Sequence, residues 1–148
     1  MKALACGIGK GVVAGLAGTA AMTVSSTVEA KLRGRAFSDA PARAAQKLLG
    51  IAEFESEAAK ARFSNVVHWG YGTGWGVARA LLGLAALTGR KADAAHFGAV
   101  WGGALVMLPA LGVAPPAWRW GKEEVAIDVF HHAVYAAATG LAYELLDR

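Results

Sequence analysis

The chain has 148 residues, of which 55% are hydrophobic and 18% are charged, with a formal net charge of +4. Soluble domains carry about 25% charged residues, and the charges here are concentrated at 29–62, at 90–93, at 119–124 and at the two ends of the sequence. Lys and Arg flank apolar runs and do not alternate with aromatic residues on one face, which excludes a typical nucleic-acid-binding protein. The length allows one domain, 1–148. The single cysteine, Cys6, excludes an intrachain disulfide and a multi-thiolate metal site.

The first apolar run predicts a membrane-spanning helix over 8–28. Residues 11–28 carry no charge, and this run approaches the roughly 20 residues that a helix needs to cross a bilayer. Lys10 lies just before it, where a lysine side chain extends to the interface. Glycines recur at intervals of three and four residues, a spacing that lets two membrane helices approach closely. These glycines are Gly7, Gly11, Gly15 and Gly18.

The polar segment 29–64 predicts a short amphipathic helix over 40–49. Ser38 supplies a polar cap, Pro41 lies in the first turn and Gly50 supplies a C-terminal stop. We expect this helix to lie at the membrane surface or to pack on the solvent side of the bundle. Its apolar face consists of Ala44, Ala45, Leu48 and Leu49.

Three further apolar runs predict membrane-spanning helices over 63–88, 94–113 and 124–146. A tight polar turn at 89–93 separates the first two, and the proline pair 115–116 follows the second. The long charge-free runs leave no continuous polar stripe, which disfavours a soluble protein. The predicted fold class is therefore all-α: a four-helix transmembrane bundle with a short amphipathic helix between the first and second spans.

Four antiparallel spans bring separated polar residues to the same side of a membrane. The end of the first span, the start of the second, the end of the third and the start of the fourth share one side. That side gathers Glu29, His68, Asp128, His131 and His132. The other side gathers Lys10, His96, Glu144 and Asp147, with Arg79 in the nearer half of the second span. Ionisable residues inside membranes are costly and often functional, so both groups are candidate sites.

Four of these residues form a predicted metal site: Glu29, His68, Asp128 and His132. Asp128 and His132 are four residues apart and therefore share a helix face. Carboxylates and imidazoles bind divalent metals, and helix bundles hold such ligands in their cores. Haem is the other cofactor that the histidines and tryptophans suit, although the sequence contains no Cys-x-x-Cys-His attachment motif.

A structural role is the alternative for these polar groups, because buried polar groups are usually paired. In that interpretation His68 forms a hydrogen bond with a hydroxyl or carbonyl group of a neighbouring helix. Asp128 then pairs with Arg119 or Lys122. Under this hypothesis the side chains hold the helices together and bind no ligand.

The remaining polar residues predicted to lie within the membrane are Arg79, His96, His131 and Glu144. Arg79 lies deepest in its span, and we expect it to pair with Glu144 or to extend to the interface. Proton or small-solute transport is a second alternative function. It requires a continuous polar path past Arg79 towards His96.

The function that the sequence favours is that of a structural or accessory membrane subunit. The chain has no nucleophile elbow, phosphate-binding loop or zinc-protease motif, which argues against an enzyme. The lipid bilayer is the expected partner. Small-residue faces on the first three spans exceed what one bundle needs, so we also expect a homo-oligomer or a larger membrane complex.

The distribution of Lys and Arg predicts an orientation. More basic residues lie on the side of the 29–64 segment than on the side of the chain ends. Basic residues are enriched on the cytoplasmic side of membrane proteins, so the sequence predicts both termini outside the cytoplasm.

Three stretches resemble small bacterial membrane proteins of the YagU type. They run from His96-Phe97-Gly98 to Trp101-Gly102, from Leu108 to Pro116, and from Asp128 to His132. The resemblance covers chiefly the third and fourth spans. It implies a location in the inner membrane, and it implies no particular chemistry or catalytic residues.

Overall fold

The computed structural model describes residues 2–36 and 38–148. This part of the chain is mostly helical and contains no strand. The helices are α1 (Lys2–Arg33), α2 (Ala40–Leu48), α3 (Glu57–Leu84), α4 (Gly89–Ala110) and α5 (Lys122–Leu146), with a 3₁₀ turn at Ala117–Arg119 before α5. The all-α prediction is confirmed.

Local sequence signals fix several helix ends. The Ser56 side chain caps α3 by accepting a hydrogen bond from the Ala59 amide at 3.1 Å. α2 has Pro41 in its first turn, as its sequence predicts. α4 has Pro109 in its last turn and is followed by Gly112 at φ 61°, a left-handed conformation that glycine adopts without strain.

The helices differ in length from the predicted spans. α1 extends beyond 8–28 at both ends. α3 begins at Glu57, so Glu57, Lys60 and Arg62 belong to this helix. It ends at Leu84 because the chain turns at 85–88, where Ala86 has φ 62°. The first turns of α3 are therefore charged, and they extend the helix beyond the apolar run.

The four long helices run antiparallel to their neighbours, and ion pairs mark this arrangement. The Lys10 ammonium of α1 lies 2.8 Å from the Asp147 carboxylate after α5. At the opposite end of α1, Arg33 lies 2.9 Å from Glu124 in the first turn of α5. α1 contacts α3 and α5, and α4 contacts the same two helices from the other side. The bundle therefore has the up-down-up-down topology on which the predicted meeting of polar residues depends.

The bundle has two distinct ends. The linker end carries the connections 34–56 and 111–121. The terminal end is where α1 begins, α5 ends and the turn 85–88 lies. These two names are used below.

Glycines bring α1 and α3 into direct backbone contact. A β-carbon placed on Gly11 would lie 2.7 Å from the carbonyl oxygen of Gly76, and one on Gly15 would lie 2.7 Å from that of Thr73. Side-chain carbons do not approach other atoms so closely, so only glycine fits at these positions. The regularly spaced glycines of the first span therefore make their close contacts inside the bundle.

α2 packs at the linker end against α3 and α4. The Lys47 ammonium donates to the carbonyl oxygens of Leu111 and Gly112 at 2.7 and 3.2 Å, where α4 ends. Leu48 and Leu49 remain exposed. α2 thus covers the C-terminus of α4 with a positive charge, which the helix dipole favours.

Two helices among the described residues, α1 and α5, are long and apolar enough to cross a membrane. α3 carries Arg79 and several His, Tyr and Gly residues, and α4 begins with Arg90, Lys91 and Asp93, which lowers their apolarity. The structure therefore shows a bundle of four long helices with two candidate spans.

Candidate functional site

The buried side of α5 is polar along most of its length. His131, Tyr135, Thr139 and Tyr143 follow one another at intervals of four residues, and each is at most 5% exposed. Residues four apart lie on one face of a helix, about 6 Å apart along its axis. We call these four residues the polar face of α5. It runs from the linker end almost to the terminal end.

His131 joins α5 to α1 at the linker end. Its Nδ1 lies 2.9 Å from the Ser25 hydroxyl oxygen, and its Nε2 lies 3.6 Å from a Glu29 carboxylate oxygen. Glu29 also pairs with Arg33 at 3.1 Å and with Arg35. Two guanidinium groups therefore hold a carboxylate beside a buried imidazole.

His68 joins α3 to α1 one turn deeper in the bundle. Its Nε2 lies 2.8 Å from the Thr23 hydroxyl oxygen. The Thr23 hydroxyl donates to the Thr19 carbonyl oxygen at 2.6 Å, and the Thr19 hydroxyl donates to the Gly15 carbonyl oxygen at 2.7 Å. The expected bond from His68 to a hydroxyl of a neighbouring helix is present. The hydroxyls form a row that leads from His68 towards the centre.

Asp128 lies towards α4, and His132 lies beside Asp128 on the same helix. The Trp101 indole of α4 donates to the Asp128 carboxylate at 2.8 Å. His132 Nδ1 donates to the main-chain carbonyl oxygen of Asp128 at 2.8 Å and lies 3.6 Å from its carboxylate. The hydrogen-bond partner of Asp128 is thus an indole, and neither Arg119 nor Lys122 takes that position.

Hydroxyl groups occupy the centre of the bundle. The Tyr135 hydroxyl donates to the Gly72 carbonyl oxygen of α3 at 2.6 Å. A β-carbon on Gly18 would overlap the Thr139 hydroxyl, and one on Gly72 would overlap the Thr19 hydroxyl. Glycines of α1 and α3 therefore make room for the hydroxyl-bearing side chains between the helices.

His96 enters the centre from α4 and is 1% exposed. Its Nε2 lies 2.9 Å from the Trp75 carbonyl oxygen, and its ring centroid lies 5.7 Å from that of Tyr135. A carbonyl oxygen only accepts hydrogen bonds, so Nε2 carries the proton. Nδ1 is then a bare acceptor, and it has no hydrogen-bond partner among the described residues.

Arg79 lies at the terminal end and is 1% exposed. Its Nε lies 3.1 Å from the Asp93 carboxylate of α4, and a terminal nitrogen lies 3.9 Å from Glu144. The guanidinium carbon is 4.9 Å from the centre of the Tyr143 ring. The expected proximity of Arg79 and Glu144 is present. The shorter contact is with Asp93, which the sequence placed in a turn without a role.

The predicted metal ligands fall into three separate contacts. Among the residues described, 2–36 and 38–148, no group of three or more His, Cys, Asp or Glu side chains is placed to hold a metal ion. The rotation of α5 is the physical reason, because it directs His131 to α1 and Asp128 to α4. The residues that do not come together as one set are Glu29, His68, Asp128 and His132.

The pattern of charged residues did not reveal the hydroxyl-bearing residues that lie between the two polar ends. The residues at the centre of the bundle carry hydroxyl groups, and a search for charged residues does not find them. In the sequence, such positions can be found as polar residues that repeat every four positions in an otherwise apolar helix. The residues concerned are Thr19, Thr23, Ser25, Tyr135 and Thr139.

No family model, no curated protein and no solved structure matches this chain. The resemblance to proteins of the YagU type therefore stays a prediction.

Proposed function

We propose that the protein is a four-span integral membrane protein that acts as a non-enzymatic structural or accessory subunit of the bacterial inner membrane. The observation that supports it best is the distribution of polarity. Large apolar side chains point outward from all four long helices, and polar side chains point inward. A soluble bundle has the opposite arrangement.

One residue of each long helix illustrates the outer surface. The exposed fractions are 64% for Val24, 71% for Val66, 71% for Val106 and 60% for Leu141. Buried polar residues are Thr19, Arg79, His96, His131 and Thr139. Exposing this apolar surface to water has a high free-energy cost, whereas a bilayer covers the surface without that cost.

The lengths of α3 and α4 support four spans. α4 has 22 residues, or about 33 Å at about 1.5 Å per residue, and α3 is longer. The hydrocarbon core of a bilayer is about 30 Å thick. Both helices direct their polar groups to neighbouring helices, with His68 on Thr23 and Arg79 on Asp93. Internal pairing reduces the cost of placing such groups in a membrane.

Open glycines support the accessory role. Nothing lies within 4 Å of the β-carbon position at Gly9, Gly70, Gly74, Gly98 or Gly102. Gly98 and Gly102 share one face of α4, and Val106 continues it outward. Membrane helices associate through small residues at this spacing. This face supports the proposal of contact with a second copy of the chain.

Cysteine labelling in sealed vesicles tests the four-span topology. Cys6→Ser removes the native thiol, and single cysteines are introduced as Ala52→Cys at the linker end and Thr88→Cys at the terminal end. Arg148→Cys marks the side on which α5 ends. A maleimide that does not cross membranes is added to right-side-out and to inverted vesicles.

Four spans require Thr88→Cys to react on the side of Arg148→Cys and opposite to Ala52→Cys. If only α1 and α5 cross, Thr88→Cys reacts on the side of Ala52→Cys, and the four-span proposal fails. We expect Ala52→Cys to react on the cytoplasmic side, where basic residues are enriched. Release of the protein from membranes by alkaline carbonate would overturn the membrane proposal as a whole.

A further inference from the structure

We propose that the polar face of α5, with His96 of α4, carries protons through the bundle between its two ends. The proposal rests on the membrane-spanning arrangement proposed above. It gives a role to buried polar groups that exceed what helix packing needs.

Unpaired atoms lie on this polar face and on His96 beside it. His131 Nε2 near the linker end, Thr139 Oγ1 near the centre and His96 Nδ1 beside Tyr135 are buried and have no hydrogen-bond partner among the described residues. Buried polar atoms are paired in nearly all native structures, with ordered water where protein groups are lacking. We call the polar face of α5 together with His96 the column. Three unpaired atoms in the column are what we expect of sites that exchange protons with internal water.

The hydrogen bonds of His131 leave one nitrogen ready to accept a proton. The Ser25 hydroxyl donates to the Met22 carbonyl oxygen at 3.0 Å, so its oxygen accepts from His131 Nδ1 at 2.9 Å. Nε2 is then a bare lone pair, 3.6 Å from the Glu29 carboxylate. The charged groups that face this nitrogen are the Glu29 carboxylate and, bound to that carboxylate, Arg33 and Arg35.

His96 offers the same arrangement nearer the terminal end. Nε2 is fixed by the Trp75 carbonyl oxygen, and Nδ1 is bare. The charged groups near its ring are Asp93, one turn earlier on α4, and Arg79, which Asp93 and Glu144 balance.

Tyr135 lies between the two histidines, and Thr139 follows one turn further along α5. Tyr135 is one helical turn from His131, and its ring lies beside His96. A hydroxyl both donates and accepts a hydrogen bond, so it passes a proton by receiving one on its oxygen and releasing its own. The column therefore contains an acceptor or a relay at each turn of α5 from His131 to Thr139.

Each end of the column meets a shallow surface cavity. The cavity at the linker end is lined by Ser25, Glu29 and Phe130 among others. The cavity at the terminal end is lined by Arg79, Tyr143 and Glu144 among others. Each cavity therefore has a carboxylate in its lining.

The transfer changes no other bond. A proton from water at the linker end binds Nε2 of His131, moves through the central hydroxyls and internal water to Nδ1 of His96, and leaves through Asp93 to water. Each N–H or O–H bond that forms is matched by one that breaks, and both histidines return to the neutral form. The tight contacts at Gly11, Gly15 and Gly18 leave no room for a larger solute at the centre.

Proton flux in vesicles tests the proposal. The purified protein is incorporated into sealed vesicles of phosphatidylethanolamine and phosphatidylglycerol that contain a pH-sensitive dye. A potassium gradient with valinomycin supplies the voltage, and the rate of internal pH change is measured. We expect a flux above that of protein-free vesicles. Flotation of the vesicles on a density gradient reports separately whether the protein has inserted.

Two matched pairs of variants distinguish the column from its surroundings. His131→Gln and Tyr135→Phe alter the column, and each is expected to lower the flux by about tenfold or more. His132→Gln alters the adjacent histidine, and Tyr71→Phe alters a tyrosine on the outer surface. These two controls are expected to keep the flux within about twofold of the unaltered protein. Tyr135→Phe removes one oxygen atom only, so it keeps the test valid if His131→Gln fails to fold.

The outcomes separate the two proposals. Protein that does not float with the vesicles ends the membrane proposal. Protein that floats but gives no flux above protein-free vesicles overturns the proton pathway alone. An equal loss of flux in His131→Gln and His132→Gln also overturns it, because the column predicts that the two adjacent residues differ.

Discussion

His131 of α5 and Ser25 of α1 form a hydrogen bond across the helix interface, with 2.9 Å between Nδ1 and the hydroxyl oxygen. This contact fixes the rotation of α5 about its own axis. It directs the polar face of α5 inward and leaves His132 on the side of Asp128. Of the two adjacent histidines, His131 is therefore the one that lies in the bundle interior.

The first prediction concerns this hydrogen bond. Ser25→Ala leaves the buried Nδ1 of His131 without its partner, and an unpaired buried polar group costs about 1–3 kcal/mol. We expect the free energy of unfolding, measured in mixed detergent micelles, to fall by that amount. Ser26→Ala is the control, since the Ser26 hydroxyl bonds only to the Thr23 carbonyl oxygen at 3.3 Å. Equal stability of both variants would contradict the prediction.

The second prediction concerns the contact between α1 and α3. A β-carbon at Gly76 would overlap the backbone of Gly11 and Gly15. We expect Gly76→Ala to lower the free energy of unfolding by about 1–3 kcal/mol, as overpacking does. Gly74→Ala lies on the open side of the same helix, where nothing is within 4 Å. It is expected to be neutral or to stabilise the helix by up to about 1 kcal/mol.

The third prediction concerns Arg79. Asp93→Asn removes the carboxylate at 3.1 Å, whereas Glu144→Gln removes the more distant one at 3.9 Å. Leaving a buried charge unpaired costs about 3–5 kcal/mol, and the partial exposure of Asp93 reduces that to about 2 kcal/mol. We expect Glu144→Gln to cost less than about 1 kcal/mol. Chemical unfolding of the two variants measures the difference, and the reverse order would assign Glu144 as the main partner.

The fourth prediction concerns the attachment of α2. Lys47→Ala removes the hydrogen bonds to Leu111 and Gly112. We expect amide hydrogen exchange in α2 to become faster while exchange in α1 stays unchanged, because local opening reflects local contacts. Lys60→Ala is the control, since Lys60 makes only an exposed pair with Glu57 at 3.9 Å. Unchanged exchange in the Lys47→Ala variant would show that apolar contacts alone hold α2.

The fifth prediction concerns self-association through α4. If two copies meet through the small-residue face, Gly98→Leu with Gly102→Leu separates the helices and yields a monomer by light scattering in mild detergent. Ala126→Leu on the exposed side of α5 is the control and is expected to leave the mass unchanged. A monomeric unaltered protein in several detergents would exclude this dimer.

The sequence by itself determined the helices and their order. Long uncharged runs, a proline at a helix start and glycines after helix ends are local signals, which can be read without knowing the tertiary contacts. The antiparallel order follows from long helices that are joined in sequence and each run the length of the bundle. It places Glu29 near His131 at one end and Arg79 near Glu144 at the other, and both contacts are present.

Only the tertiary structure decided the rotation of each helix. His131 and His132 differ by about 100° around the helix axis, and the pattern of charged residues favoured the row of Asp128 and His132. The inward residue was settled by partners on other helices, with Ser25 for His131 and Trp101 for Asp128. These partners are distant in sequence, so no local pattern names them.

The glycines show the same division. Their spacing along α1 and α3 predicted close helix contacts, but not which glycines face inward. Gly72 and Gly76 contact α1, whereas Gly70 and Gly74 face outward on the same helix. The sequence contains two equivalent small-residue faces on α3, and the packing energy of the assembled bundle selects one of them.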